Sequence, residues 1–290
     1  MAINYERLMT WPFAPVEQTY TERDTMLYAL GVGVGADPLD EGQLRFVFEE
    51  PGLVALPTMA AVLGTSGFWV RDPATGVDWK QVLHGEQGIE LHRPLPAATT
   101  VLAQTRVTEI IDKGEGRGAL IYSQREIRDK HTGDPLATLS STTVARGDGG
   151  FGGPAMAQPQ PHTLPEREPD LLCDLPTVPQ AALVYRLSGD PNPLHADPAV
   201  ARAAGFGAPI LHGLCTLGIA GHAVLRTCCD YDPARFRSLQ LRFSAPVYPG
   251  ETIRTEMWRD GDVVSFRSQA LERHVTVLNN GRVELGVSSG

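Results

Sequence analysis

The sequence contains few cysteines and no long apolar run. The four cysteines, Cys173, Cys215, Cys228 and Cys229, have neither the CxxC spacing of a zinc site nor the density of a disulfide scaffold. No stretch reaches the roughly 18 uninterrupted apolar residues that a membrane span needs, and residues 1–11 lack the apolar region of a secretory signal. We therefore expect reduced thiols in a cytosol-like compartment and no membrane partner.

Clusters of basic residues are also missing. The formal net charge is −9, and no run of Lys and Arg is long enough to neutralise a polyanion. This argues against nucleic acid as the main partner, although a local basic patch is enough to bind a small anionic ligand. With 290 residues, of which 42% are hydrophobic, the chain can bury a substantial core and is long enough for two globular domains.

Several widespread catalytic motifs are absent. The sequence has no GxSxG elbow, no HExxH and no Walker lysine. The segment Gly31–Gly35 is only superficially similar to a dinucleotide loop, because no strand-to-helix transition and no later acidic partner support it. Five histidines have no metal-like spacing: His92, His131, His162, His222 and His274. We therefore expect neither a cofactor nor a metal.

Glycine and proline concentrate in the middle of the chain, between about Arg146 and Pro179, in a composition that cannot sustain a helix or a central strand. We interpret residues 149–180 as a linker. It separates an N-terminal domain, residues 1–148, from a C-terminal domain, residues 181–290.

The same order of signals recurs on the two sides of this linker. A tyrosine-containing segment comes first, at Leu27–Leu30 and again at Val184–Leu187. A proline-initiated apolar run follows, at Pro57–Phe68 and again at Pro209–Leu225. The second run is apolar on nearly every face of a helix, which predicts a helix surrounded by protein on most sides.

Period-two stretches come after each run and predict antiparallel strands. They are Ile89–His92, Val101–Ile111 and Ala119–Ile127 in the first half, and Leu239–Phe243 and Ile253–Met257 in the second. The dipeptides Asp260-Gly261 and Asn280-Gly281 are typical of hairpin turns. The pattern predicts an α+β fold in which each half curls an antiparallel sheet around a central helix.

Potentially reactive side chains are densest in the segment Ser188–His195. A glycine and two prolines exclude a continuous helix there and hold Asp190 and His195 on a stiff, mostly extended backbone. An aspartate and a histidine aimed at one water can orient it, accept its proton and return a proton to a substrate. The open alternative is an Asx-turn, in which Asp190 and Asn192 only cap backbone amides and His195 lies at the surface.

The segment Ala208–Cys215 places Gly213 near the start of the predicted buried helix. A glycine there lets a substrate approach the backbone, and the free N–H groups of the first turn can stabilise negative charge on a thioester oxygen. The alternative is that Gly213 only permits tight packing of helix on sheet.

The segments Tyr185–His195 and Pro209–Thr216 closely resemble the hydratase 2 motif of MaoC-like hydratases, the (R)-specific enoyl-CoA hydratases that include the hydratase domain of peroxisomal multifunctional enzymes of type 2. The resemblance extends over nearly the whole chain. It also includes Glu22–Asp24, Tyr28–Gly33, Val82–Gln87, Gly149–Gly153 and Pro246–Gly250. It implies a double hot dog fold, which agrees with the repeat.

The resemblance also implies roles for individual residues. The catalytic pair of the family falls on Asp190 and His195, and its oxyanion donor on the backbone N–H of Gly213. The substrate-contacting loop falls on the residues between the pair, Pro191, Asn192, Pro193 and Leu194.

The acyl-CoA contacts of the family resemble His84, Gly85, Lys113 and Phe243 here. Each has an open alternative. His84-Gly85 can be only a turn, Lys113 a solvated hairpin charge and Phe243 ordinary core on an alternating strand.

The two halves differ where the chemistry is expected. Aligning Tyr28 with Tyr185 puts Gly33 opposite Asp190, and the first half offers Asp37-Pro38 and no histidine near the position of His195. The N-terminal half therefore has no acid–base pair, and the resemblance implies that it accommodates the acyl tail.

The activity that we expect is the reversible hydration of a trans-2-enoyl-CoA to the (3R)-3-hydroxyacyl-CoA, by a lyase of fatty-acid β-oxidation acting on medium, long or bulky acyl chains. The assignment of base and acid between Asp190 and His195 stays open. Two alternatives are an acyl-CoA thioesterase on the same fold and a non-catalytic acyl-CoA-binding module. The final residues, Ser288–Gly290, lack the Ser-Lys-Leu type of peroxisomal address, so we expect a free-standing cytoplasmic enzyme. The resemblance implies a homodimer.

Overall fold

A ten-stranded antiparallel sheet forms most of the fold. The computed structural model describes residues 3–286. Its strands are β1 (Val16–Tyr20), β2 (Val82–Leu91), β3 (Thr99–Asp112), β4 (Ala119–Asp129), β5 (Pro135–Ala145), β6 (Leu171–Pro176), β7 (Phe236–Phe243), β8 (Thr252–Asp260), β9 (Val263–Ala270) and β10 (Val275–Leu285). They lie in the order β1-β3-β4-β5-β2-β7-β10-β9-β8-β6.

The two halves of the sheet repeat the same strand order on either side of a central pair. The first five strands run β1-β3-β4-β5-β2, and the last five run β6-β8-β9-β10-β7 from the opposite edge. Strands β2 and β7 join the halves, with a register from Glu86 opposite Arg242 to Glu90 opposite Ser238. This repeat confirms the predicted double hot dog.

The α-helices are α1 (Tyr5–Met9), α2 (Glu22–Gly31), α3 (Glu41–Leu44), α4 (Ala181–Tyr185), α5 (Pro198–Ala203) and α6 (Gly213–Cys228). The predicted central helix of the second half is α6, in which 12 of 16 residues are buried. Among residues 3–286 no helix is long and apolar enough to cross a bilayer.

Helix α6 packs against the first half as well as against its own sheet. A Cβ atom at Gly218 would lie 2.5 Å from Cγ1 of Val32, and one at Gly221 would lie 2.4 Å from Cγ2 of Thr58. Both glycines therefore allow backbone approaches that any larger residue would block. One long helix serves as a core element for both halves.

The corresponding run of the first half does not form a long helix. Only Pro57–Val62 is helical, as a six-residue 3-10 helix. The run ends because Gly64 and Gly67 take left-handed backbone angles, with φ values of +59° and +65°. The prediction of an equivalent central helix in each half was therefore wrong for the first half.

The two predicted hairpin turns have different outcomes. Asp260-Gly261 joins β8 to β9, with Gly261 at a φ of +63°, as predicted. Asn280-Gly281 lies inside β10, where the register shifts against both β7 and β9. Asn280 has a φ of +53°, so the same tolerance of left-handed backbone that favours a turn here produces a β-bulge.

The Gly/Pro-rich segment is ordered at both of its ends. The Asp112 carboxylate accepts hydrogen bonds from the backbone N–H groups of Gly150 (2.7 Å) and Gly152 (2.9 Å). At the other end, Leu171–Pro176 pairs with β8 as an edge strand, so the segment interpreted as a linker contains one strand. An edge position suits its terminal proline, which has no N–H to donate.

The packing of α6 on the first half is tested by Gly218→Val. The added side chain would overlap Val32 and the Tyr28 hydroxyl, so we expect the free energy of unfolding to fall by about 2 kcal/mol. Gly207→Val is the matched control, because a Cβ there meets no atom within 4 Å. Its effect should stay within about 0.5 kcal/mol. Equal denaturant midpoints for the two variants would show that α6 does not pack closely on the first half.

Candidate active site

The loop that carries Asp190 and His195 is held by its own side chains. The Asp190 carboxylate accepts a hydrogen bond from the Asn192 N–H (3.2 Å), and the Asn192 side chain accepts one from the Leu194 N–H (3.1 Å). The Asx-turn alternative thus describes these bonds correctly. His195, however, is only 8% exposed and does not lie at the surface, so the caps fix a buried histidine.

The orientation of His195 is set by a backbone carbonyl. Its Nδ1–H donates to the carbonyl oxygen of Ile210 at 2.8 Å, which leaves Nε2 with a free lone pair. Burial lowers the pKa of His195 below 6.5, and the bond to Ile210 and the charge of Asp190 offset this only in part. At neutral pH His195 is therefore a neutral imidazole with an acceptor nitrogen.

His212 connects the loop to the start of α6. Its ring stacks on that of His195, with 3.7 Å between the ring centroids and 28° between the planes. Its Nε2–H donates to the Asp190 backbone carbonyl at 3.2 Å. Burial and the neighbouring His195 lower the pKa of His212 to about 4. No role for His212 was predicted, although its place beside Gly213 in the motif was a signal.

Two tyrosines from the repeated segments lie behind this pair of histidines. The Tyr185 ring is 5.1 Å from that of His212, and the Tyr28 ring is 5.9 Å from that of Tyr185. Burial raises the pKa of both tyrosine hydroxyls, so neither ionises at neutral pH. The two tyrosine rings therefore pack next to the histidines as uncharged neighbours.

Asp190, His195 and His212 each offer one ligand atom within 4.8 Å of the others, which is near enough for a metal ion. The geometry of the rings does not suit one. Lone pairs of imidazole lie in the ring plane, and the planes of these two stacked rings are 28° apart with their centroids separated by 3.7 Å, so the lone pairs lie in separate, nearly parallel planes. In addition, one nitrogen of each histidine already donates to a backbone carbonyl. The arrangement favours proton transfer over metal binding.

The structure brings Gly213, Phe243 and His84 together beside the loop. Gly213 is the first residue of α6, where backbone N–H groups have no partner within the helix. A Cβ atom at Gly213 would lie 3.2 Å from the Phe243 ring, and the rings of Phe243 and His84 are 4.7 Å apart. Phe243 is half-buried and packs against the main hydrophobic core, so it lies between that core and Gly213.

His84 lies at the start of β2. Its side chain is accessible to solvent, yet desolvation lowers its pKa to about 4, and the charges of Arg125 and Asp190 both act on it. His84-Gly85 lies in β2 and not in a turn. Gly85 sits at a register shift, where a Cβ atom would lie 2.7 Å from Cγ2 of Val144.

The remaining predicted contacts lie further out. Pro191, Asn192 and Pro193 are exposed on the loop, and Leu194 is half-buried. Lys113 follows β3 at the edge of the sheet where β2 begins. No described contact joins Lys113 to the histidines.

Comparison with known proteins identifies the family. Residues 18–147 match the MFE-2 hydratase 2 N-terminal domain, and residues 160–280 match the MaoC like domain. The chain is 37% identical to the peroxisomal enoyl-CoA hydratase 2 of Arabidopsis thaliana, with 99% of this chain and 97% of that enzyme aligned. It is 43% identical to 3-hydroxyacyl-thioester dehydratase Y of Mycobacterium tuberculosis, over 93% of this chain and 94% of that protein.

A solved structure agrees with these relatives. The crystal structure of a MaoC-like dehydratase from Phytophthora capsici superposes with a TM-score of 0.87 at 34% identity, covering 99% of each chain. The chain belongs to the MaoC-like hydratase 2 family.

The state of His195 can be tested by NMR of its ring nitrogens. At pH 7 we expect the Nδ1–H tautomer, because Nδ1 donates to Ile210, and we expect titration below pH 6.5, because burial disfavours the imidazolium. His195→Gln assigns the resonances by removing them. A protonated Nε2 at pH 7, or a midpoint above pH 6.5, would contradict the described geometry.

Proposed function

We propose that this chain is an (R)-specific enoyl-CoA hydratase, which adds water reversibly to a trans-2-enoyl-CoA to form the (3R)-3-hydroxyacyl-CoA. One observation carries the proposal. Side-chain atoms of Asp190, His195 and His212 lie within 4.8 Å of one another, Nε2 of His195 keeps a free lone pair, and His212 is the N-cap residue of α6. The names of the relatives, enoyl-CoA hydratase 2 and 3-hydroxyacyl-thioester dehydratase, support the reaction class.

The first requirement of the reaction is a place for negative charge. As the water oxygen bonds to C3, the electrons of the double bond move toward the thioester, and charge builds on its oxygen. The N–H of Gly213 and the positive end of α6 can stabilise that oxygen. A side chain at this position would meet Phe243, so glycine keeps the N–H accessible.

The second requirement is transfer of one proton from water to C2. In this proposal Asp190 orients the water, and Nε2 of neutral His195 accepts its proton as the oxygen attacks C3. The imidazolium that forms lies beside the Asp190 carboxylate, which raises the pKa of His195. His195 then returns the same proton to C2, so that the overall change is addition of one water.

The two halves divide the work in this proposal. The C-terminal domain, residues 181–290, holds Asp190, His195 and Gly213. The N-terminal domain, residues 1–148, holds the acyl tail, since a turn that contains Gly33 stands there where the second half has its catalytic loop. In this proposal the short 3-10 helix of the first half leaves space for the tail, which suits medium, long or bulky acyl chains.

The setting of the enzyme belongs to the same proposal. We infer a cytoplasmic homodimer that serves β-oxidation. Light scattering of the pure protein should give twice the chain mass of 31.4 kDa, and a monomeric mass would contradict the dimer.

The reaction itself is tested by incubating the protein with crotonyl-, decenoyl- and bulkier trans-2-enoyl-CoAs, following loss of the conjugated absorbance and determining the product configuration. A (3R) product supports the proposal, and an (S) product overturns it. Free CoA without a hydroxyacyl product would show a thioesterase. Binding without turnover would show a carrier module.

The proposed pair is tested by Asp190→Asn and His195→Gln. We expect each to lower kcat by roughly a hundredfold or more, the scale of lost acid–base catalysis, with acyl-CoA binding retained. Asp197→Asn is the matched control, because Asp197 is an exposed aspartate on the next turn that caps α5 and asparagine preserves a cap. Near-normal turnover in Asp190→Asn would refute the centre.

Lys113 is tested by Lys113→Ala. If the lysine meets a CoA phosphate, its loss should raise KM several-fold for all acyl chains alike, with kcat unchanged and the effect weakening at high salt. Lys130→Ala is the control, because Lys130 is also a lysine at the end of a strand but pairs with Glu17 at 2.6 Å. A KM change that differs between acyl chains would show that Lys113 acts on the acyl group and not on a CoA phosphate.

A further inference from the structure

One arginine lies on the inner face of the first half, where the proposed function places the acyl tail. Arg125 is in β4, and one of its terminal nitrogens donates to the carbonyl of Ala61 at 2.7 Å. Ala61 belongs to the short 3-10 helix. The guanidinium therefore points under the sheet, toward the element that replaces a long central helix.

Arg125 has no acidic partner among residues 3–286. None of the ion pairs in this part of the chain includes it. Its Nε is buried without a hydrogen-bond partner. Desolvation alone lowers its pKa to about 10, so the side chain stays charged at neutral pH. Arg125 is half-buried, and a partly desolvated charge without a counter-charge is costly for a folded protein, so its presence points to a ligand that supplies the missing charge.

Arg125 lines a polar cavity of about 130 Å³. Hydroxyl groups dominate its wall: Ser66 bonds to Thr105, and Ser123 bonds to Ser141, both at 2.8 Å. Only two of the lining side chains are apolar, those of Trp69 and Leu139. An alkyl chain end would gain little here, whereas a charged oxygen would find several donors.

Arg125 lies near the candidate active site. Its charge acts on His84 and lowers the pKa of that histidine, and His84 packs on Phe243 beside Gly213. Gln87, which follows His84 in β2, lines the cavity. Strand β2 thus connects the residues beside Gly213 with the wall of the Arg125 cavity.

The equivalent position in the second half is occupied differently. Arg125 pairs with Thr105 and Leu139 in the sheet, and Ser268 pairs with Thr255 and Leu278 in the same way. Ser268 is fully buried and bonds to Thr255 at 3.0 Å. The cationic pocket therefore belongs to the first half alone.

We propose that the Arg125 pocket binds a carboxylate at the distal end of the acyl chain, so that the preferred substrates are enoyl-CoAs derived from dicarboxylic or otherwise carboxylate-bearing acids. This inference rests on the proposed hydratase function. A guanidinium matches a carboxylate in charge and in planar geometry, and the hydroxyl groups around it complete the shell of donors.

The test compares trans-2-enoyl-CoAs of equal length that end in a methyl, a hydroxyl or a carboxylate group, over a series of lengths. For the wild-type protein we expect kcat/KM to be roughly tenfold or more higher for the carboxylate at the matching length. Arg125→Met should reverse this order, lowering kcat/KM for the carboxylate substrate and raising it for the methyl one. Arg125→Lys should retain part of the preference.

Arg106→Met is the matched control, because Arg106 is a solvent-exposed arginine on the neighbouring strand, paired with Glu126. It should leave the order of the three substrates unchanged. An equal preference for hydroxyl and carboxylate ends, or no reversal in an Arg125→Met protein of normal thermal stability, would overturn the inference.

Failure of the hydratase proposal remains distinguishable. If no substrate turns over, crotonyl-CoA included, the proposed function fails. Equilibrium binding of the saturated carboxylate-ended and methyl-ended acyl-CoAs, to wild type and to Arg125→Met, then tests the pocket alone. The carboxylate preference must be present in the first protein and lost in the second.

Discussion

The proposed chemistry depends on two hydrogen bonds that tie one loop to the residues just before α6. His195 donates to the Ile210 carbonyl, and His212 donates to the Asp190 carbonyl. The first bond selects the tautomer of His195, and the second fixes the loop against the helix end that faces the thioester. Because α6 is buried on nearly all sides, the helix is a rigid support for both bonds. In the proposed chemistry, Asp190, His195 and the N–H of Gly213 are thus held in place through a single element.

The two halves share a sheet topology but use the space beneath it in opposite ways. In the second half α6 fills that space, and the inner face is closed around Ser268 and its neighbours. In the first half the 3-10 helix ends at Val62, and Arg125, which donates to Ala61 of that helix, lines a polar cavity. In the proposed function, the space left by the shorter helix is occupied by the acyl chain of the substrate.

Much of this fold could be predicted from the sequence, and the misses have physical causes. Apolar composition around a full turn predicted α6, and period-two alternation predicted β4. The same patterns did not show that the helical part of the first run stops before Gly64 and Gly67. Whether an apolar run forms a long buried helix depends on residues from distant parts of the chain that surround it. Asn280-Gly281 favoured a turn, yet it forms a bulge, since one dipeptide suits both. In the alternating pattern of β4, Arg125 falls on the same face as the apolar residues Ile121 and Ile127. The sequence therefore showed that Arg125 faces inward. It did not show which residues lie opposite Arg125.

The join between β2 and β7 has a consequence for how such a protein can diverge. In a dimer of identical single-domain chains every substitution is present twice, so a cation in the tail pocket would also enter the catalytic copy. Here His84 on β2 and Phe243 on β7 meet across the join, while Arg125 and Asp190 each occur on one side only. Because the two copies are parts of one chain, a substitution in one copy does not appear in the other. The residues proposed to recognise the acyl chain can therefore change without changing the residues proposed to add water.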